Sequence, residues 1–87
     1  MIVHELKTLP EYFSEVWTER KRFELRKNDR DFRRGDRLLL REYDGDIYTG
    51  RAVLCSITYV LKDCPQYGLA EDWCILSLGN ITREYEA

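Results

Sequence analysis

Only one stretch of this chain carries helical periodicity, which removes most of the folds open to 87 residues. Within Pro10–Thr18, Tyr12, Phe13, Val16 and Trp17 recur at i, i+1, i+4 and i+5, one apolar stripe over about two helical turns. Pro10 suits the first turn, whose N–H groups lack internal partners. Thr8, with Glu11 three residues later, reads as a capping box that starts the helix.

The remaining patterned segments alternate or run in short β-rich stretches. Ile2–Lys7 is strand-like. In Lys21–Lys27, Phe23 and Leu25 alternate with Arg22, Glu24 and Arg26, the period of a half-buried strand with a charged outer face. Asn28–Gly35 has no period, and Phe32 is expected to pin this loop to the body. Asp36–Tyr43 and Arg51–Leu61 follow as strands, joined through the hairpin signal Asp44–Gly45–Asp46. Lys62–Asp72 reads as an irregular connection. Trp73–Leu78 reads as a last strand closed by Gly79–Asn80, with a polar tail after it. One short helix and about five mostly antiparallel strands predict a single α+β, mainly β domain over residues 1–87. The economical form is an open β-barrel with the N-terminal helix plugging one end.

Cys55, Cys64 and Cys74 are odd in number, form no CxxC pair and lie far from the one histidine, His4. They read as reduced, buried thiols, and no metal site is expected. No apolar run approaches the roughly 20 residues of a membrane span, and no secretory leader precedes the first strand-like run. The expected compartment is the cytoplasm, with no membrane partner.

Charge is distributed unevenly. Arg20–Arg37 holds nine bases and four acids, a net +5, whereas the rest of the chain holds five bases and twelve acids, a net −7. A local basic segment suits a phosphate-bearing ligand, while the acidic remainder argues against a general DNA-coating protein. The plainer alternative is a solvated loop whose charges pair among themselves.

The segment Glu19–Arg26, E-R-K-R-F-E-L-R, resembles the signature of ASCH domains, a PUA-like β-barrel family. Lys21, Glu24 and Arg26 match that signature in residue and spacing, and Glu19 stands where glycine is usual. The continuation R-K-N-D-R-D-F-R-R-G-D, the opening I-V-H-E-L-K and the closing W-C-I-L-S-L are similar to a short single-domain bacterial and phage branch of unknown function. The resemblance implies a barrel with a cleft lined by Lys21, Glu24 and Arg26, and a role in binding RNA or modified nucleosides. Some relatives are amidohydrolases of acylated cytidine that use the signature lysine, a threonine three residues on and a distant carboxylate. Here Lys21 is kept, Glu24 holds the threonine position, and the segment that carries the carboxylate is shortened to about Lys62–Asp72. Glu71 or Asp72 would have to stand in for that carboxylate.

The side-chain chemistry fits a nucleotide. Arg26 offers a planar fork for a phosphate or a base carbonyl. Glu24 can accept from an exocyclic amino group or orient Arg26. Lys21 supplies a compact charge, or a nucleophile in the enzyme alternative. Lys27, Arg30, Arg33 and Arg34 are expected to track a phosphate backbone. Strict alternation puts Lys21 on the face opposite Glu24 unless the strand begins after it. Tyr48, Tyr67 and Trp73 are candidates for base stacking, with core burial the favoured reading for Trp73, which begins an apolar strand. His4 is expected to be structural, with a general base as the alternative, and Glu5 to point toward the barrel mouth near Lys21. The reading is a binding domain for RNA or a modified nucleotide, without cofactor. A Lys21-dependent amidohydrolase and a protein-interaction factor are the alternatives, and the oligomeric state stays open.

Overall fold

A computed structural model describes residues 1–86. The elements are β1 (Val3–Thr8), α1 (Pro10–Trp17), β2 (Phe23–Lys27), β3 (Arg37–Tyr43), β4 (Tyr48–Leu61), a 3₁₀ turn at Pro65–Tyr67, and β5 (Trp73–Tyr85). They build one curled sheet of order β1-β3-β4-β5-β2, in which β1 and β3 run parallel and the other pairs antiparallel. The fold is the expected mainly β, open-barrel class. No helix among the described residues is long and apolar enough to cross a membrane.

The barrel interior follows strand parity. Leu6, Leu38, Leu40, Val53, Cys55, Ile57, Cys74, Leu76 and Leu78 face inward, and Phe13 and Val16 of α1 close one side of them. Phe32 is buried as expected and meets the His4 ring edge-on, which holds the basic loop to the body. All three cysteines are buried and free. Burial pushes the Cys55 thiol up to about 12, with the Glu24 charge adding to the effect.

Four local expectations are corrected. Thr8 is not the helix cap. Leu9 takes that position without a side-chain bond, and the Thr8 hydroxyl instead accepts from Arg26 across the barrel. Gly79–Asn80 does not end β5 but makes a bulge within it, where Leu54 faces Thr82 and Ser56 faces Gly79. Asn80 takes a left-handed φ of 50°, and a Cβ on Gly79 would lie 2.8 Å from Thr58 Cγ2. The expected polar tail is therefore strand as far as Tyr85; residue 87 lies outside the described residues. Glu5 points outward rather than into the mouth, since His4, Leu6 and Thr8 take the inward positions of β1; its carboxylate is 3.6 Å from Arg41.

The fourth correction has the largest consequence. β2 presents its charged face inward and its apolar face outward: Glu24 is 3% exposed, whereas Phe23 and Leu25 are 46% and 52% exposed. Register enforces this, because Glu24 pairs with inward Leu76 and Arg26 with inward Cys74.

Candidate functional site

The sheet does not close into a full ladder. Its two edges are β1 and β2, and guanidinium groups span the seam between them. Arg26 Nη2 donates to Lys7 O at 2.9 Å and to Thr8 Oγ1 at 3.0 Å. Arg30 Nη1 donates to Glu5 O at 2.9 Å. Glu5 and Lys7 are two residues apart, so their carbonyls point to the same edge of β1. Two arginines thus satisfy edge acceptors that a neighbouring strand would otherwise fill.

Glu24 lies at the floor of the adjoining cleft. Its Oε1 accepts from Lys21 Nζ at 3.0 Å and its Oε2 from Arg26 Nε at 2.9 Å. Lys21 also donates to Phe23 O at 2.9 Å. Parity did not place Lys21 with Glu24, but β2 begins only at Phe23 and the chain is free to bend before it. The bend comes from a tight helix exit: the N–H groups of Arg20 and Lys21 both donate to Glu15 O, and Glu19 adopts φ 63°. Lys21, Glu24 and Arg26 are therefore brought together. Each oxygen of the buried carboxylate accepts from a cation, which compensates its removal from water and leaves the cluster a net charge of +1.

Arg26 uses Nε and Nη2, and its Nη1 makes no hydrogen bond among the described residues. Each Glu24 oxygen has accepted one bond and has capacity for another. The cleft above them has a volume of about 580 Å³, within the range of small-molecule sites. Its walls are largely apolar and include Leu9, Tyr12, Phe23, Leu25 and Trp73. Lys21 Nζ lies 4.8 Å from the Phe23 ring centroid and 5.8 Å from that of Tyr12, so its charge also faces two ring systems.

Trp73 is thus not a core residue; at 41% exposed it forms part of the cleft wall. Tyr12, Phe23 and Leu25 are wall residues that sequence pattern alone assigned to the core. The signal that points to them is Glu24 itself: if Glu24 turns inward to its cations, period two forces Phe23 and Leu25 outward, where they rim the cleft. Tyr48 is stacked by Arg41, whose guanidinium carbon is 3.7 Å from the ring centroid, and Tyr67 is exposed on the 3₁₀ turn away from the cleft lining.

The other basic residues divide into two groups. Arg30 is held by the seam, and Arg33 donates to Asp31 at 2.9 Å on the surface. Lys27 and Arg34 are exposed and have no ion-pair partner among the described residues. His4 is structural: its Nε2 lies 2.9 Å from Asp36 Oδ2 and both side chains are buried. That bond, with the N–H groups of Ile2 and Arg33, holds the Asp36 carboxyl below the usual carboxylate range.

Comparison with known proteins places the chain in a family. Residues 3–78 match the family described as a domain of unknown function (DUF3850), and the chain belongs to it. The chain is also similar to the "Uncharacterized 12.9 kDa protein in GpA 3'region" of Escherichia phage P2, with 45% identity over 58 residues. That match covers 67% of this chain and 53% of the phage protein, so it spans about half the length of that relative.

Proposed function

We propose that this DUF3850 chain is an ASCH-like, PUA-like module whose cleft takes a base of RNA or of a modified nucleotide. One observation carries the reading: the Glu24 carboxylate, held between Lys21 and Arg26, forms the polar floor of an aromatic-walled cleft. A nucleobase is a flat ring with donors and acceptors on its edge. Its exocyclic amino group donates to Glu24, its carbonyl accepts from Arg26 Nη1, and its faces meet Tyr12, Phe23 or Trp73. The cytosine edge, with an amino group beside acceptors, suits this floor best. Support for the ASCH likeness also comes from Glu19. It occupies the position where the signature has glycine, and its backbone is left-handed, the conformation glycine adopts at least cost.

The amidohydrolase alternative carries less weight. Lys21 is already engaged by Glu24 and by the Phe23 carbonyl, and Glu24 stands where those enzymes keep a threonine. Glu24 is likewise engaged by two cations.

The test is tryptophan quenching and calorimetry with cytidine, acylated cytidine, uridine and short single-stranded RNA. Cytidine-type ligands are expected to quench wild-type fluorescence, to quench a Trp73→Phe variant less, and to bind Arg26→Ala and Glu24→Gln at least tenfold more weakly, about 1.4 kcal/mol. Unchanged affinity in both floor variants, or no response to any nucleoside or RNA, overturns the reading. Release of the acyl group from acylated cytidine, abolished by Lys21→Ala, would instead establish the enzyme.

A further inference from the structure

The inverted face of β2 leaves an aromatic row on the outer surface of the sheet. Phe23 of β2 pairs in register with Ser77 of β5, and Ser77 pairs in turn with Tyr59 of β4. Phe23 is 46% exposed and Tyr59 is 56% exposed, with only the small Ser77 side chain between them. Two strand spacings separate their backbones by about 10 Å. The neighbouring row, Leu25–Ile75–Leu61, continues the apolar surface.

The row does not end at Tyr59. Just before β3 begins, the basic loop runs alongside β4, where Gly35 N–H donates to Ile57 O and Ile57 N–H to Asp36 O. Loop and strand border a shallow, open hollow of about 360 Å³ lined by Phe32, Arg33, Arg34, Tyr59, Val60 and Lys62. Asp31 occupies the fork of Arg33, but Arg34 and Lys62 have no ion-pair partner among the described residues. At the other end of the surface, Lys27 pairs in register with Trp73 on the cleft wall.

We infer that the ligand path leaves the cleft past Phe23, crosses the sheet to Tyr59 and ends at Arg34 and Lys62, so that the protein takes a single-stranded oligonucleotide rather than a lone nucleoside. This inference rests on the reading of the cleft as a base site. Exposed rings spaced across a sheet, with unpaired cations at both ends, match the needs of unstacked bases joined by phosphates. A protein partner fits the surface less well, because the cores of protein interfaces are depleted in lysine and other charges.

The experiment is fluorescence anisotropy with labelled single-stranded mono-, tri- and pentanucleotides of RNA at two salt concentrations. The proteins are wild type, Tyr59→Ala and the double variant Arg34→Ser/Lys62→Ser. The trinucleotide is expected to bind wild type at least tenfold more tightly than the mononucleotide. Tyr59→Ala should weaken the trinucleotide about 5- to 150-fold, the range for loss of one stacked base, and leave the mononucleotide unchanged. The double charge variant should reduce the slope of log affinity against log salt by about 1.4, two phosphate contacts. A mononucleotide that binds as tightly as the trinucleotide, or a trinucleotide indifferent to Tyr59→Ala, overturns the path and leaves the base site standing. Loss of a dimer in Tyr59→Ala without change in trinucleotide affinity also overturns it, by making this face a contact between copies. If neither mononucleotide nor trinucleotide binds, the base site itself fails.

Discussion

Two glutamates in this domain look alike in sequence and in burial, yet their surroundings differ. Glu24 and Glu42 face the barrel interior, are 3% and 4% exposed, and each accepts from an arginine at 2.9 Å. Glu42 is held by a two-pronged fork from Arg51, through Nε and Nη2, with the Thr49 hydroxyl as a third donor. The Arg51 guanidinium lies against the rings of Phe13 and Trp17, so the helix packs along one side of the pair. Arg51 keeps the Glu42 carboxyl below the usual range. Glu24 instead divides its oxygens between two cations from different segments and sits in the floor of an open cleft. A buried charge is thus no guide to function by itself. What separates the two sites is access for a ligand and hydrogen-bonding capacity left over.

The largest expected effects set the two sites directly against each other. Glu42→Gln breaks a charged fork beneath the helix and should cost about 3 kcal/mol in urea unfolding, with nucleotide affinity per folded molecule unchanged. Glu24→Gln takes the carboxylate from Lys21 and Arg26, which are 18% and 24% exposed against 33% for Arg51, so it should cost about 3 kcal/mol as well, while binding collapses. Equal losses of binding at the two positions would break the comparison.

A smaller effect appears on acidification. Asp36 and Glu42 both have lowered carboxyl pKa values in the folded protein. The unfolded chain therefore binds more protons as pH falls, so the stabilisation is full above the ordinary carboxylate range and is lost through the lowered folded values. Urea midpoints should drop between neutral pH and about pH 3, with a shallower drop in Asp36→Asn and in Glu42→Gln. Midpoints that rise on acidification would contradict the hydrogen-bond assignments.

The smallest expected signal is chemical. Cys55 is fully buried and its thiol is pushed up to about 12, so iodoacetamide at mildly alkaline pH should not modify it in the native protein. Labelling should appear only as the protein unfolds in urea. Native-state labelling would mean that water reaches the interior beside Glu24, and that the cleft is deeper than its walls indicate.

Much of this protein was legible in local patterns. One aromatic stripe over Pro10–Thr18 meant one helix, and the Asp44–Gly45–Asp46 signal meant a hairpin, with Asp44 Oδ1 accepting from the Asp46 and Ile47 N–H groups. Odd, isolated cysteines meant buried free thiols. These features depend on contacts a few residues apart, or on no partner at all, so composition and spacing determine them. The grouping of Lys21, Glu24 and Arg26 was legible through resemblance, not through periodicity.

Tertiary structure alone decided which way β2 faces. Period two says that Phe23 and Leu25 share a face opposite Glu24 and Arg26, and both orientations satisfy it equally. Hydrophobicity by itself favours the apolar face inward. The opposite orientation prevails because β5 pairs in a register that turns Glu24 and Arg26 inward, and β1 supplies Lys7 O and Thr8 Oγ1 to Arg26. Those partners lie 18 and 19 residues before Arg26 on β1, and about 50 residues beyond β2 on β5. The same holds for Gly79–Asn80, which as a dipeptide reads as a turn and becomes a bulge only because β4 continues alongside it. Local sequence determines the repeat of a strand, but the sign of that repeat belongs to the neighbours against which its charges are satisfied.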